Sequence, residues 1–533
     1  MQTKRHIQFW TIAESEPSTH EDLEEGVGPY LLATMAKRAG YTVSSYQASQ
    51  YGCDAKAIVT QIKTDLPDIL ALSIFSGGIH LLREVLGKVD NALPVMIGGP
   101  GATSEPARVL SEIGTSRQPI GPVALVQSEG ESAFAALLAS EPGQWGTIPQ
   151  CWRLSHDGKI LSGQFGALRD LDEKPLVDLS SSVMRRKCEG VFRDDAMPLQ
   201  QRIRAIQALQ HCYVETRRGC FFKCEFCSEP QLTVKGVRKT SPARAIQEVQ
   251  HLFENFGITF FNYADNIAFD DEVWWRTYAE LLQQLPYHHL IQFGGYGTPK
   301  FFSKKMWFSE TLPLLCRAGL CFVTLGVQSG SRRILKDIIH RPPDDPEKAM
   351  EVVRQCAPLG LNVKTDFIVG HPTETIDDLK MTHRWVRQLY NAGAQVFVRR
   401  LGIVPKSGYD FRLRDNFYTP PAHSEESEGV ITDILWYHSR KDNWLKAVAN
   451  TQPNLFLIDR EQHTLFPKPR YDMTTLLTDA KKVVYLPEPL RERFTTLFEL
   501  VIRLKSWPSR SRGNNISRDF FIFFSSTFLN FGE

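Results

Sequence analysis

Apolar strand-like runs alternate with amphipathic helical stretches twice along this chain, once between residues 6 and 139 and again between 213 and 405. Strands separated by helices at this spacing cannot pair as hairpins, so they assemble into parallel sheets with helices on their faces. In the first series HIQFW (6–10), TVSSYQA, DILALSIFS (68–76), PVMIGGPGAT (94–103) and the start of VALVQSEGESAFAALLA (123–139) predict a doubly wound α/β sheet. Ligands of such sheets lie beyond the carboxyl ends of the strands. Ser73, Phe75 and Ser76 fall at one such end, Gly98, Gly99 and Gly101 at another, and Glu129 and Gly130 at a third. Glycines there let the backbone approach a flat or phosphate-bearing ligand, although GGPG alone is equally a plain strand-to-helix turn.

The second series holds six strand candidates: YVETR (213–217), ITFFNYADN (258–266), LIQFGGYG (290–297), LCFVTLGVQSG (320–330), NVKTDFIVGHPTET (362–375) and QVFVRRLGIVP (395–405). Six βα units predict a partial barrel whose carboxyl-terminal mouth carries the chemistry. Ser241, Pro242 and Gly257 mark the cap, first position and stop of one helix between them. Residues 146–210 read as a linker, 415–505 as a mainly helical segment rich in Trp, His and Leu, and 506–533 as a tail.

With 62 basic and 60 acidic residues interspersed, nothing resembles a phosphate-tracking stripe, so no nucleic-acid partner is expected. The longest aromatic stretch, FFIFFSSTFLNF (520–531), is too short to span a bilayer. MQTKRHIQFW has no apolar signal segment, which predicts a reducing cytoplasm where thiols persist as metal ligands.

Cys220, Cys224 and Cys227 follow the first strand of the second series in the spacing CxxxCxxC. Structural zinc wants four ligands, and neighbouring His211 and Cys212 fit no zinc spacing. An iron–sulfur cube normally takes four thiolates, so three close together leave one iron for a substrate or cofactor. The other seven cysteines, 53, 151, 188, 212, 316, 321 and 356, are scattered and default to small buried hydrophobes.

With Phe226 before the third cysteine, the triplet resembles the signature of radical S-adenosylmethionine (SAM) enzymes. GGPGAT and SEGES upstream make the whole similar to the cobalamin-dependent (class B) members: a Rossmann-like cobalamin-binding domain (1–145), then a radical SAM barrel (211–414). The resemblance implies three cofactors: a [4Fe-4S] cluster on the three cysteines, SAM and cobalamin. It places SAM near Phe226, Asp265, Asn266, Gln328, Ser329, Ile368 and Gly370, with Glu374 capping the following helix. Cobalamin is expected against Ser73, Phe75, Ser76, Gly98, Gly99, Gly101, Glu129 and Gly130. The pattern DxHxxG, which supplies a cobalt-ligating histidine elsewhere, is absent, since His20 and His80 lack both the Asp and the Gly.

What the resemblance implies is methyl transfer from methylcobalamin to an unactivated carbon of a small molecule or peptide, with flavodoxin or ferredoxin as electron donor. Rearrangement or cyclisation without methylation, and a non-catalytic sensor, stand as alternatives. His371 reads as a solvated turn residue or as one that faces substrate, and Tyr263 and Tyr296 as either cavity lining or packing.

Overall fold

The computed structural model describes residues 5–13, 26–116, 121–154, 159–302, 307–414 and 425–439, with short breaks at 195, 199–200, 202–204, 206–207, 235 and 344, and two strands at 457–459 and 464–466. The first sheet contains β1 (His6–Ile12), β2 (Thr42–Gln47), β3 (Ile69–Ile74), β4 (Val95–Gly98), β5 (Val123–Val126), β6 (Cys151–Leu154) and β7 (Ile160–Leu161), in the order β2-β1-β3-β4-β5-β6-β7. The first five are parallel. Strand β3 is buried along most of its length, as a central strand covered on both faces must be. Apolar side chains of the two faces form separate cores, one around Trp10, Ile58, Leu72 and Leu110, the other around Phe9, Phe134 and Trp145.

The sheet does not stop at residue 145. Strands β6 and β7 add to it antiparallel, drawn from the stretch read as a linker. They are short, and Ile160 and Leu161 are exposed, so they lack the apolar run or clean alternation that marks a strand in sequence. The helix Val183–Arg193, also within that stretch, packs on β2.

The second sheet comprises β8 (His211–Val214), β11 (Phe260–Tyr263), β12 (Gln292–Gly297), β13 (Leu320–Gln328), β14 (Asn362–Val369) and β15 (Gln395–Arg400). All neighbours are parallel in the order β15-β14-β13-β12-β11-β8, the open six-stranded half barrel expected. Between β8 and β11 a small hairpin pairs β9 (Arg217–Arg218) with β10 (Arg238–Lys239). Helix Pro242–Phe256 has the predicted Ser241 cap and ends at Gly257 in the left-handed region. Aromatic packing fills the space behind β11 and β12, where Trp275 stacks on Phe293 and meets Tyr263 edge-on.

Inside the barrel Gly294 makes room for Phe322, because a Cβ there would lie 2.2 Å from the ring. Phe322 stacks on Phe260, whose ring meets His211, and Lys364 Nζ lies 4.2 Å from the Phe322 centroid. These side chains floor the barrel at its amino-terminal end. Helix Glu425–Ser439 packs on helix Ile376–Asn391 and β15. Strands β16 (Leu457–Asp459) and β17 (Thr464–Phe466) form a hairpin, and the remainder of 440–533 lies outside the described residues. Among the described residues no helix is long and apolar enough to cross a membrane.

Candidate functional site

The cysteine loop hangs from the β9–β10 hairpin. At its base Gly219 has φ +94°, and a Cβ would sit 2.1 Å from the Gly236 carbonyl oxygen, so only glycine lets the two sides of the base meet. Cys220, Cys224 and Cys227 all border one cavity of about 570 Å³ that leads into the barrel. Among the described residues no three His, Cys, Asp or Glu side chains converge as one ion would require. A cube carries each thiolate on a different iron, so thiols spread around a cavity suit a cluster and do not suit mononuclear zinc. Burial pushes all three thiols above their ordinary range, Cys227 to about 12. Loading metal would displace those protons.

Phe226, Asp265, Asn266 and Gln328 border the same cavity, as do Tyr263 and Tyr296. Their roles differ. Asp265 accepts from Thr216 N (2.8 Å), Thr216 Oγ1 (2.6 Å) and Arg217 N (2.9 Å), fastening the end of β8 to the end of β11. Arg217, fully buried, pairs with Asp270 at 2.8 Å and lies over the Trp274 ring. Gln328 has φ +71° just past a register shift of β13 against β14, and its Nε2 donates to Tyr296 OH at 3.1 Å. The irregularity re-aims a strand-end side chain toward the cavity.

Ser329, Ile368 and Gly370 are not among the residues that line this cavity. Ser329 is fully buried against Thr382, Ile368 is half-buried near the end of β14, and Gly370 N donates to Glu374 at 2.6 Å. Glu374 turns back to cap the Gly370–His371 turn, whereas the cap of helix Ile376–Asn391 is Thr375 in a capping box with Asp378. His371 is fully buried rather than solvated, with Nδ1 3.2 Å from Tyr409 OH, and desolvation lowers its pKa to about 3.

Arg341, which sequence reading missed, also borders the cavity. Its charge opposes the burial that raises the Cys224 thiol, and it pairs with Asp345 at 2.9 Å, donates to Gly326 O at 2.6 Å and lies 4.6 Å from the Phe222 centroid. The turn HRPPDD that carries it shows no pattern that sets it apart.

A larger cavity, about 820 Å³, opens at the carboxyl ends of β1, β3, β4 and β5. That volume is within the range of small-molecule and cofactor sites. Ser73, Phe75, Gly98, Gly99, Glu129 and Gly130 border it, while Gly101 is buried inside helix Pro100–Ser104. Ser76 opens the short turn Ser76–Gly78, and its side chain lies outside the described residues. No histidine is among the described residues lining the cavity, in keeping with the missing DxHxxG. Four of the described lining residues have a buried polar atom without a partner, Gln47 Nε2, Glu131 Oε2, Arg217 Nη2 and Glu229 Oε1, and such atoms call for a ligand. Glu229, two residues after the third cysteine, was not singled out from sequence.

Glu129 borders this cavity but spends its carboxylate elsewhere. It accepts from Leu168 N (2.9 Å) and Arg218 Nη1 (2.9 Å), and from both terminal nitrogens of Arg238. Arg218 also binds Glu131 at 2.6 Å and Glu215 at 2.8 Å. Ser128, at φ +70°, donates its hydroxyl to Leu232 O. The first domain thus grips the hairpin that bears the cysteine loop. Tyr213, Glu229, Ala264 and Asn266 line both cavities and form the wall between them.

Residues 214–386 match the Radical SAM superfamily. The chain is 24% identical over 383 residues to cytidylyl-2-hydroxyethylphosphonate methyltransferase of Streptomyces wedmorensis, covering 66% of this chain and 68% of that protein. Its fold is similar to the radical SAM methyltransferase TsrM from Kitasatospora setae, solved with cobalamin and a [4Fe-4S] cluster, with a TM-score of 0.58, 14% identity and coverage of 94% and 100% of the two chains. It is likewise similar to the cobalamin-dependent SAM radical enzyme OxsB, solved with aqua-cobalamin and SAM (TM-score 0.56, 14% identity, 98% and 75% covered).

Proposed function

We propose that this chain, a radical SAM protein with the two-domain architecture of the cobalamin-dependent members, transfers a methyl group to an unactivated carbon of a small-molecule or peptide natural product. The observation that carries this reading is the common wall. One cavity is bordered by the three cysteines and the other by the glycine-rich strand ends, and Tyr213, Glu229, Ala264 and Asn266 border both. When bound, the cluster with SAM supplies one-electron cleavage of the sulfonium, and cobalamin supplies a transferable methyl group.

The chain's own residues position and shield. Cys220, Cys224 and Cys227 would hold the cluster, and Arg341 brings a fixed positive charge to the same cavity, which tunes iron–sulfur sites. Asn266 and Gln328 present amide groups to the cavity, while Asp265 and Arg217 hold the strand ends rigid behind them. Gln47 would meet a ligand of the larger cavity with its unpartnered amide. The floor formed by Phe260, Phe322 and His211 keeps water from entering the barrel from below.

The test is anaerobic incubation of the cluster-loaded protein with cobalamin, SAM, reductant and candidate substrates. Formation of 5′-deoxyadenosine together with S-adenosylhomocysteine supports methylation. The first product alone points to rearrangement or cyclisation, and neither product refutes the reading.

A further inference from the structure

Strands β14 and β15 lie side by side with Asp366 opposite Phe397 and Ile368 opposite Arg399. Asp366 and Arg399 both border the cavity that carries Cys220, Cys224 and Cys227. They stand diagonally on one wall, with Cα atoms about 8 Å apart by strand spacing and rise. Their charges are opposite, yet they have not closed on each other: among the described residues neither makes a hydrogen bond or an ion pair. The other charged groups of the cavity are engaged. Asp265 is held by Thr216 and Arg217, Arg341 by Asp345, and Lys364 lies over the Phe322 ring, while Glu229 belongs to the wall shared with the larger cavity.

We propose that Asp366 and Arg399 determine specificity by holding the two ends of a zwitterionic substrate of the amino acid class, its ammonium on Asp366 and its carboxylate on Arg399. This rests on the reading of the chain as a radical SAM methyltransferase and deepens it. The substrate it names is a free amino acid rather than a residue inside a peptide, because an internal residue carries neither charge. An α-amino acid is short, and one hydrogen bond at each end extends it to the span of the diagonal pair.

Burial pushes the half-buried Asp366 carboxyl up to about 6 against the pull of Arg399 and Lys364, so at neutral pH it is mainly an anion without a donor. A desolvated carboxylate in that state is destabilised until a donor reaches it, and a cationic N–H is the strongest kind. Arg399 is exposed near the end of β15, and its planar fork is shaped to take a carboxylate with two hydrogen bonds. Depth assigns the pair to substrate rather than to SAM. Strand β14 runs toward the barrel mouth, and Asp366 precedes Ile368 by two residues and Gly370 by four. It therefore lies about 7 and 13 Å deeper than those two expected SAM positions.

The test is anaerobic equilibrium dialysis with the full chain loaded with cluster, cobalamin and SAM, without reductant so that nothing turns over. The probes are the proteinogenic amino acids, each offered free, as the N-acetyl derivative that keeps only the anion, and as the carboxamide that keeps only the cation. At least one free amino acid is expected to bind about tenfold or more tighter than both of its own derivatives. Asp366→Asn should weaken that free amino acid about tenfold and leave its N-acetyl derivative unchanged, and Arg399→Gln should weaken it similarly and leave its carboxamide unchanged. Arg399 is exposed, so its variant stays informative if Asp366→Asn disturbs the barrel. Both variants should take up SAM as the wild type does. The inference is overturned if no free amino acid binds, if the derivatives bind as tightly, if both variants bind like the wild type, or if they lose SAM, which would make the pair SAM contacts. The reading beneath it fails separately, in a wild type that forms neither 5′-deoxyadenosine nor S-adenosylhomocysteine once reductant is added.

Discussion

Glu129 offers the sharpest test of how the two domains are joined. Its side chain is 9% exposed and holds Arg218 (10% exposed) and Arg238 (16% exposed), so Glu129→Ala removes the anionic centre of a buried network. Removing one partner of a buried pair ordinarily costs about 3–5 kcal/mol, because a desolvated charge is left behind. Arg218 keeps Glu131 and Glu215, which lowers the penalty, while Arg238 keeps only the Leu168 carbonyl and some access to water. Leu168 N also loses its acceptor. Together these place the loss at about 2–3 kcal/mol, the lower part of the range for unpaired buried charge. Glu129→Gln keeps one acceptor oxygen but turns an NH₂ toward donors, for a loss of about 1–2 kcal/mol. The exposed pair Arg5–Glu141 is the control, and Glu141→Ala should cost below about 0.5 kcal/mol. Equilibrium urea unfolding followed by tryptophan fluorescence reads all three. A Glu129→Ala protein as stable as Glu141→Ala would refute the reasoning and return Glu129 to the role of a cavity-facing ligand residue.

Cys224→Ala should abolish bound iron and sulfide after anaerobic reconstitution while circular dichroism stays native, because the thiol contributes little to the core it borders. Arg341→Met should lower the cluster's reduction potential in a titration monitored by electron paramagnetic resonance, since a cation bordering the same cavity as Cys224 favours the reduced state; an unchanged potential would count against that. Gly219→Ala should unfold the hairpin base and halve cluster content or worse, measured as iron per chain, because its Cβ meets the Gly236 carbonyl. Burial lifts the Glu374 carboxyl to about 7, so the folded state holds a proton there that the unfolded chain has released. The sign is that Glu374 makes stability fall as pH rises from about 4.5 to about 7, by up to about 3 kcal/mol, and Glu374→Gln should flatten that slope in urea unfolding at each pH.

The parallel sheets were legible because helices between apolar runs leave few other topologies, and the cysteine triplet because its spacing is a covalent fact. Strands β6 and β7 were not, since Ile160 and Leu161 carry no period and depend on a sheet edge already formed. Glu129 was read as a cobalamin contact at a strand end, and its partners Arg218 and Arg238 lie 89 and 109 residues away, beyond any local pattern. Arg341 was missed for the same reason: it and Cys224 lie on two loops that only the folded half barrel brings to one cavity. His371 read as wet because a turn usually is, and only the packing of Tyr409 and Phe226 around it shows otherwise.

Because six strands do not close a barrel, β8 is left as an edge, and helix Val27–Arg38 of the first domain covers it, with Tyr30 joining the second domain's core. Cutting the chain near residue 210 would strip that cover and leave a row of unsatisfied amides able to recruit another strand. The halves are therefore not independent modules, since Tyr30 of the first completes the core of the second.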